Sequence, residues 1–201
     1  MTLVFATHNA HKVAEVQRMM PAGYKVVSLR EIGFDQEIEE PWFTLEENAV
    51  EKARLVHEMT GKTCFAEDSG LLVDYLHGKP GVLSKRYAGD NATDEQNNQK
   101  LLQEMSGIRN REAHFQTVIA FYPGENFQLF TGVCHGLLTE NPRGHSGFGY
   151  DPLFIPEGSE RTFGEMDAAE KAKYSHRGKA VSEFLQFLAT YQPPFYGQNT
   201  D

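Results

Sequence analysis

An α/β fold is predicted for this chain, and three stretches of sequence predict it. The first twenty residues read as a strand, a tight loop and a helix, and a β-rich centre (roughly residues 113–155) is flanked by segments of α/β character. An amphipathic helix then closes the patterned part of the chain.

Taken in order, Leu3 to Ala6 is a short apolar run interrupted by Thr7-His8-Asn9, after which Val13, Val16 and Met19 recur at helical spacing until Pro21 and Gly23 stop the pattern. Lys25 to Leu29 reads as a second strand. Thr44-Leu45-Glu46-Glu47 has the form of a capping box, in which the first and last side chains satisfy amides at a helix start. Leu45, Ala49, Ala53 and Val56 follow at helical spacing towards Gly61. Thr63 to Ala66 reads as a buried strand, followed by Glu67-Asp68-Ser69-Gly70, whose composition is that of a turn, and by apolar Leu71 to Val73. Thr93 and Gln96 repeat the capping pattern ahead of a helix carrying Leu101, Leu102 and Met105.

Phe115, Ile119 and Phe121 then alternate with more polar neighbours, Pro123-Gly124 marks a turn, and Phe127 to Leu138 is the returning strand of a long hairpin. Ser175 precedes Ala180, Val181, Phe184, Leu185 and Leu188, the apolar stripe of the last helix. Residues 1–192 are expected to form a single domain, and 193–201, without helical or strand pattern, an exposed tail.

The 201 residues are 40% hydrophobic and 23% charged, an ordinary globular composition. No apolar run is long enough to span a bilayer, and the N-terminus lacks a basic leader followed by a long apolar stretch, so a cytoplasmic protein with no membrane partner is expected. Cys64 and Cys134 stand apart, in no metal-binding or redox spacing, and read as reduced thiols. The net charge of −9, with no basic stripe, argues against a nucleic-acid partner, because such a partner needs a cationic surface. A small polyanion needs only a few converging cations and amides.

Four segments offer such chemistry. Thr7, Asn9 and Lys12 lie between a strand and a helix, where outward amides and a compact cation suit phosphate oxygens. The plainer reading is that Asn9 caps the helix while Lys12 is solvated, with His8 and His11 as loop residues. Glu40 and Asp68, each at the edge of a predicted element, are candidate ligands for Mg2+, which prefers carboxylate oxygens and bridges to substrate phosphates. Lys52, on the helix between them, leans towards the same place; the competing reading is an exposed acidic loop and a turn. Around Phe148, Gly147 and Gly149 let the backbone approach a flat ligand. His176, Arg177 and Lys179 crowd the start of the last helix, where the dipole disfavours cations unless an anion or electron-rich ligand offsets it.

Together these segments resemble one family, the inosine/xanthosine triphosphate pyrophosphatases that cleanse the nucleotide pool. The motifs run in family order: the opening Thr7-x-Asn9-x-x-Lys12, Glu47-Asn48-Ala49-x-x-Lys52-Ala53, Asp68-Ser69-Gly70-Leu71, Phe148-Gly149-Tyr150-Asp151-Pro152 and Ser175-His176-Arg177-Gly178. The match extends from about Leu3 to about Leu188.

The resemblance implies a mixed sheet with flanking helices in two lobes around a central cleft, the β-rich stretch forming one lobe, and a homodimer. It implies hydrolysis of inosine and xanthosine triphosphates and their deoxy forms to monophosphate and pyrophosphate. Thr7, Asn9 and Lys12 would hold the triphosphate, Glu40 and Asp68 would bind metal, and Asp68 would activate water with Lys52 beside it. Ser69, Phe148, Gly149, Tyr150, Asp151, Lys171, His176 and Arg177 would form the nucleoside pocket, with Arg177 meeting O6 and N7 of the base in bidentate fashion. Two departures stand out: Glu67 where the family commonly has aspartate, and His8 where glycine is frequent. A Maf-type pyrophosphatase is the nearest alternative, but its opening loop reads differently. A nucleotide sensor without turnover is the alternative of another class.

Overall fold

The computed structural model describes residues 2–36, 38 and 41–192, so Glu40, with Glu37 and Glu39, and the expected tail at 193–201 lie outside the described residues. The fold is mixed α/β. Its elements are β1 (Thr2–Phe5), α1 (Ala10–Met19), β2 (Lys25–Ser28), α2 (Leu45–Thr60), β3 (Cys64–Val73), α3 (Asp94–Glu104), β4 (Glu112–Tyr122), β5 (Gln128–Leu138), β6 (Phe154–Pro156), α4 (Ala168–Tyr174) and α5 (His176–Thr190).

Six strands form one sheet in the order β2-β1-β3-β4-β5-β6. β1 runs parallel to both β2 and β3, while β3, β4, β5 and β6 are successively antiparallel. The expected hairpin is present as β4 and β5, joined to the rest of the sheet through β3.

β3 differs from the sequence expectation. Glu67 to Gly70 form no turn but continue the strand from Cys64 to Val73, each residue in register with β4. Turn-like composition is overridden because β4, rich in β-branched and aromatic residues, offers a full ladder of partners. Gly70 is required here, since a Cβ at this position would collide with the carbonyl of Gly81.

The sheet is covered on both faces. Cys64, Ala66, Val118 and Ala120 pack with Ala49, Ala53 and Val56 of α2. Phe65, Ile119 and Phe121 face the opposite way and pack with Val16 of α1 and Ala180, Val181 and Phe184 of α5. A third cluster joins Leu71, Leu101, Met105, Phe154 and Phe163 around the distal half of β3 and α3. The helix starts are capped as the sequence suggests: Thr44 accepts from Glu47 N–H, Thr93 and Gln96 form a complete capping box, and Ser175 accepts from Gly178 N–H. At the first of these, Glu47 turns its carboxylate to the Thr44 hydroxyl.

Candidate active site

β1 pairs with β3 only at Cys64 and Phe65, and its last contact is the Ala6 N–H to the Phe65 carbonyl at 2.8 Å. Beyond that point the chain turns into the loop before α1, and the β3 edge from Glu67 to Ser69 faces that loop. A cleft where neighbouring strands part, at the carboxyl end of β1, is the usual ligand position in an open α/β sheet. A cavity of about 140 Å³ lies here, lined among others by Asn9, Lys12, Asp68, Ser69, Phe148 and Lys171.

The period-2 alternation of β3 sends Asp68 and Glu67 to opposite faces. Asp68, buried, points to the α2 side, where Lys52 Nζ lies 3.3 Å from its Oδ1 and donates to the Glu67 carbonyl at 2.8 Å. Glu67, also buried, points to the α5 side and receives Arg177 through Nε and Nη2, each at 2.7 Å. Lys12 Nζ stands 3.3 Å from the same carboxylate. Burial opposes ionisation of Glu67, but Arg177 and Lys12 outweigh it and hold its pKa far below the ordinary glutamate value. Arg177 stays charged by the same pairing.

Glu15 completes the cluster. Its carboxylate bridges Arg177 Nη1 and Lys171 Nζ, the latter at 2.8 Å. Burial pushes its pKa up, and the two cations bring it below the usual range. Lys171 also donates to Asp151 Oδ2 at 2.6 Å, an oxygen that accepts the Phe148 N–H at 2.9 Å as well. Burial raises the Asp151 pKa despite that lysine. The Phe148 ring lies over these cations, its centroid 4.8 Å from Lys171 Nζ and 5.5 Å from Arg177 Cζ, and stacks on His11 at 5.4 Å. His176 stacks on Phe115 at 4.7 Å; burial, then Arg177 and Lys171, depress its pKa well below the usual value and keep it neutral.

The loop before α1 shows the capping that the plainer sequence reading expects. Asn9 Oδ1 accepts from His11 N–H at 2.9 Å and Lys12 N–H at 3.2 Å, and Thr7 Oγ1 accepts from Asn9 N–H at 3.1 Å. Asn9 and Lys12 are the residues of this loop that line the cavity. Tyr150 is buried and anchors its loop by donating to the Ser84 carbonyl at 2.9 Å. Ser69 Oγ is 3.4 Å from Arg177 Nη2.

With this geometry the chain can be set against known proteins. It matches the Ham1 family over residues 3–187. The chain belongs to the Ham1 family.

Among its relatives, the dITP/XTP pyrophosphatase of Christiangramia forsetii is 47% identical over 94% of this chain and 100% of that one. The dITP/XTP pyrophosphatase of Flavobacterium psychrophilum is 46% identical over 94% and 99%. A solved structure, a HAM1 protein from Coxiella burnetii, is 37% identical with a TM-score of 0.87, covering 95% of this chain and 100% of its own.

In this Ham1-family chain, the described site residues expected from sequence lie around one cavity, with Thr7 and Lys52 immediately behind it through Asn9 and Asp68. Two residues of this buried charge cluster escape sequence reasoning. Glu15 sits one turn after Lys12 on an amphipathic helix and reads as a solvated side chain until α4 and α5 fold against it. Glu67 is visible in the sequence only as a departure from family aspartate, whereas the fold makes it the partner of Arg177. The arrangement also modifies the expected bidentate reading by Arg177. Its Nε and Nη2 are directed at Glu67 and its Nη1 at Glu15, so the guanidinium presents chiefly a face to Phe148.

Proposed function

We propose that this chain hydrolyses inosine and xanthosine triphosphates, and their deoxy forms, to the monophosphate and pyrophosphate, and thereby clears 6-oxopurines from the nucleotide pool. The observation that carries this reading is the joining, across one buried strand, of the Asp68–Lys52 pair to a pocket floored by Lys171 and Arg177 and roofed by Phe148. The names of its Ham1-family relatives support it.

The cavity is smaller than the roughly 300 Å³ of pockets that enclose a whole small ligand, so it suits the base while the triphosphate extends past Asn9 and Lys12. Lys171, whose ammonium gives donors to Glu15 and Asp151 and has a third, suits O6 or N7 of hypoxanthine or xanthine, while Arg177 offers its charged face to the ring. Adenine would set an amino donor against that ammonium, and a mismatch of that kind in a dry pocket is rejected strongly. On the phosphate side, Lys12 and Lys52 neutralise the developing charge, and Asp68 accepts the proton of the attacking water.

Asp68 is a hard oxygen donor at the cavity wall, which fits Mg2+; that ion commonly uses one or two carboxylates and completes its shell with substrate phosphates and water. Asp68 and Glu40 would hold it. When bound, it supplies charge neutralisation on the phosphates and acidifies water. Among the described residues there is no cluster of three or more metal-ligating side chains. A homodimer and a cytoplasmic location belong to the same reading. Among the described residues no helix is long and apolar enough to cross a membrane.

The test is pyrophosphate release from inosine, xanthosine, guanosine and adenosine triphosphates with Mg2+, for the native chain and Asp68→Asn. Strong turnover of the first two, lost in the variant and on chelation, is expected. Equal turnover of all four would sink the base selectivity, and tight binding with no turnover would make the chain a sensor.

A further inference from the structure

The loop that carries Phe148 is held from outside the pocket. Asp94 Oδ2, in the first turn of α3, accepts the Gly149 N–H at 2.6 Å. One turn later Asn98 Nδ2 donates to the Gly149 carbonyl at 3.0 Å. The two sides of one residue are thus gripped by side chains four apart on a single helix, the spacing that places both on the same helix face. α3 itself is fixed on the scaffold: Asn97 accepts from Ala88 N–H at 2.8 Å and donates to the Lys85 carbonyl at 3.0 Å.

The shape of the gripped loop rests on glycine. Gly144, Gly147 and Gly149 all have positive φ, at 77°, 79° and 62°, so its shape depends on residues without a Cβ. It also stands as a wall between two spaces. Inside is the 140 Å³ cavity; outside, between α3 and residues 142–149, is a cleft of about 1050 Å³. Phe148, Gly149 and Asp94 line both. In the observed position the Phe148 ring lies over Lys171 and Arg177, so a base that enters must displace or slide under that ring, and the outer cleft gives it room to yield.

We propose that Asp94 and Asn98 are positioning residues that latch the Phe148 loop and thereby set affinity for the base of the substrate. This rests on the pyrophosphatase reading above. Neither side chain is assigned contact with a reacting atom; each acts through the Gly149 peptide. A mispositioned ring weakens base binding, while phosphates held by Lys12 and Lys52 are unaffected.

The experiment measures kcat and KM for inosine triphosphate, with inorganic tripolyphosphate as a base-free competitive inhibitor, in Asp94→Ala, Asp94→Asn and Asn98→Ala. Loss of one hydrogen bond to a charged group corresponds to about a tenfold rise in KM for Asp94→Ala. Asn98→Ala is expected to give a smaller rise, kcat to stay within about twofold, and the tripolyphosphate inhibition constant to hold. Asp94→Asn, which keeps an oxygen to accept the Gly149 N–H, should recover most of the loss. An unchanged KM in Asp94→Ala, or a tripolyphosphate constant rising in step with KM, would overturn the proposal. Asp94 is exposed, so its two variants carry the test should Asn98→Ala fail to fold. Native turnover separates the two readings: without it the pyrophosphatase reading falls, whereas normal native turnover with unaltered variants removes only the latch.

Discussion

Replacing Glu67 by glutamine should destabilise the chain severely, and the size of the effect follows from what the carboxylate touches. Arg177 is 1% exposed and spends two donors on Glu67 at 2.7 Å. Removing one member of a buried pair costs about 3–5 kcal/mol, because the remaining charge is stranded. Glutamine keeps one acceptor oxygen, and Glu15 still holds Arg177 Nη1, so the lower end, about 3 kcal/mol, applies. At 2–4 °C per kcal/mol for a chain of this size, the midpoint of thermal unfolding should fall by roughly 6–12 °C at pH 7. Circular dichroism melts of the native chain and Glu67→Gln would measure it. The pH dependence has a fixed sign. The folded pKa of Glu67 is depressed, so its stabilisation is complete above the unfolded value of about 4.3 and is lost as pH falls below it towards the folded one. The gap between native and variant should therefore narrow below about pH 4. A gap under about 2 °C at pH 7, or one that widens in acid, would refute the reasoning.

Lys52→Ala should lower kcat/KM by about a hundredfold or more, since it removes a preorganised cation beside Asp68; steady-state pyrophosphate release checks this. Phe148→Ala should raise KM for inosine triphosphate by roughly tenfold, the worth of one stacked base, with a smaller change in kcat. Gly70→Ala should cost about 1–3 kcal/mol by driving a Cβ into the Gly81 carbonyl, read as a lower unfolding midpoint in urea. Burial raises the Cys64 thiol to about 12 and the Cys134 thiol to about 11, so neither should react rapidly with a thiol reagent at pH 8 until denaturant is added; a fast-reacting thiol in the native chain would contradict the packing.

Much of the fold is legible where local signals agree with the tertiary outcome. The stripe Ala180, Val181, Phe184 and Leu188 and the Ser175 cap both specify α5, and both are used as written. The motif residues are legible because most belong to short contiguous signatures, at an element's start as with Asn9 and Ser175 or inside one as with Lys52 and Asp68. What escapes is pairing across long sequence separation. Nothing near Lys171 announces Asp151 or Glu15, because α4, the turn at Asp151 and α1 are separate segments that meet only in the folded chain. Glu67 to Gly70 read as a turn because composition reports local preference, while the ten-residue register with β4 is a non-local property. Asn9 illustrates an overlap: capping and ligand binding ask for the same residue, and the structure assigns its oxygen to the first of them.

The separation of Glu67 from Asp68 by the thickness of a sheet has a consequence for how this protein can vary. Neighbours in the gene, they report to different helices, so a point substitution at either one is felt first on its own side. An insertion or deletion of a single codon within β3 would do the reverse. It would rotate every later side chain of the strand to the other face. An insertion ahead of Glu67 would turn that carboxylate to Lys52 and set Ala66 opposite Arg177, and a deletion there would set the shorter Asp68 opposite Arg177 and Glu67 on the α2 face. Drift in this segment is thus confined to exchange of side chains at fixed length, and length change in homologous chains should fall in the connections at either end of the strand.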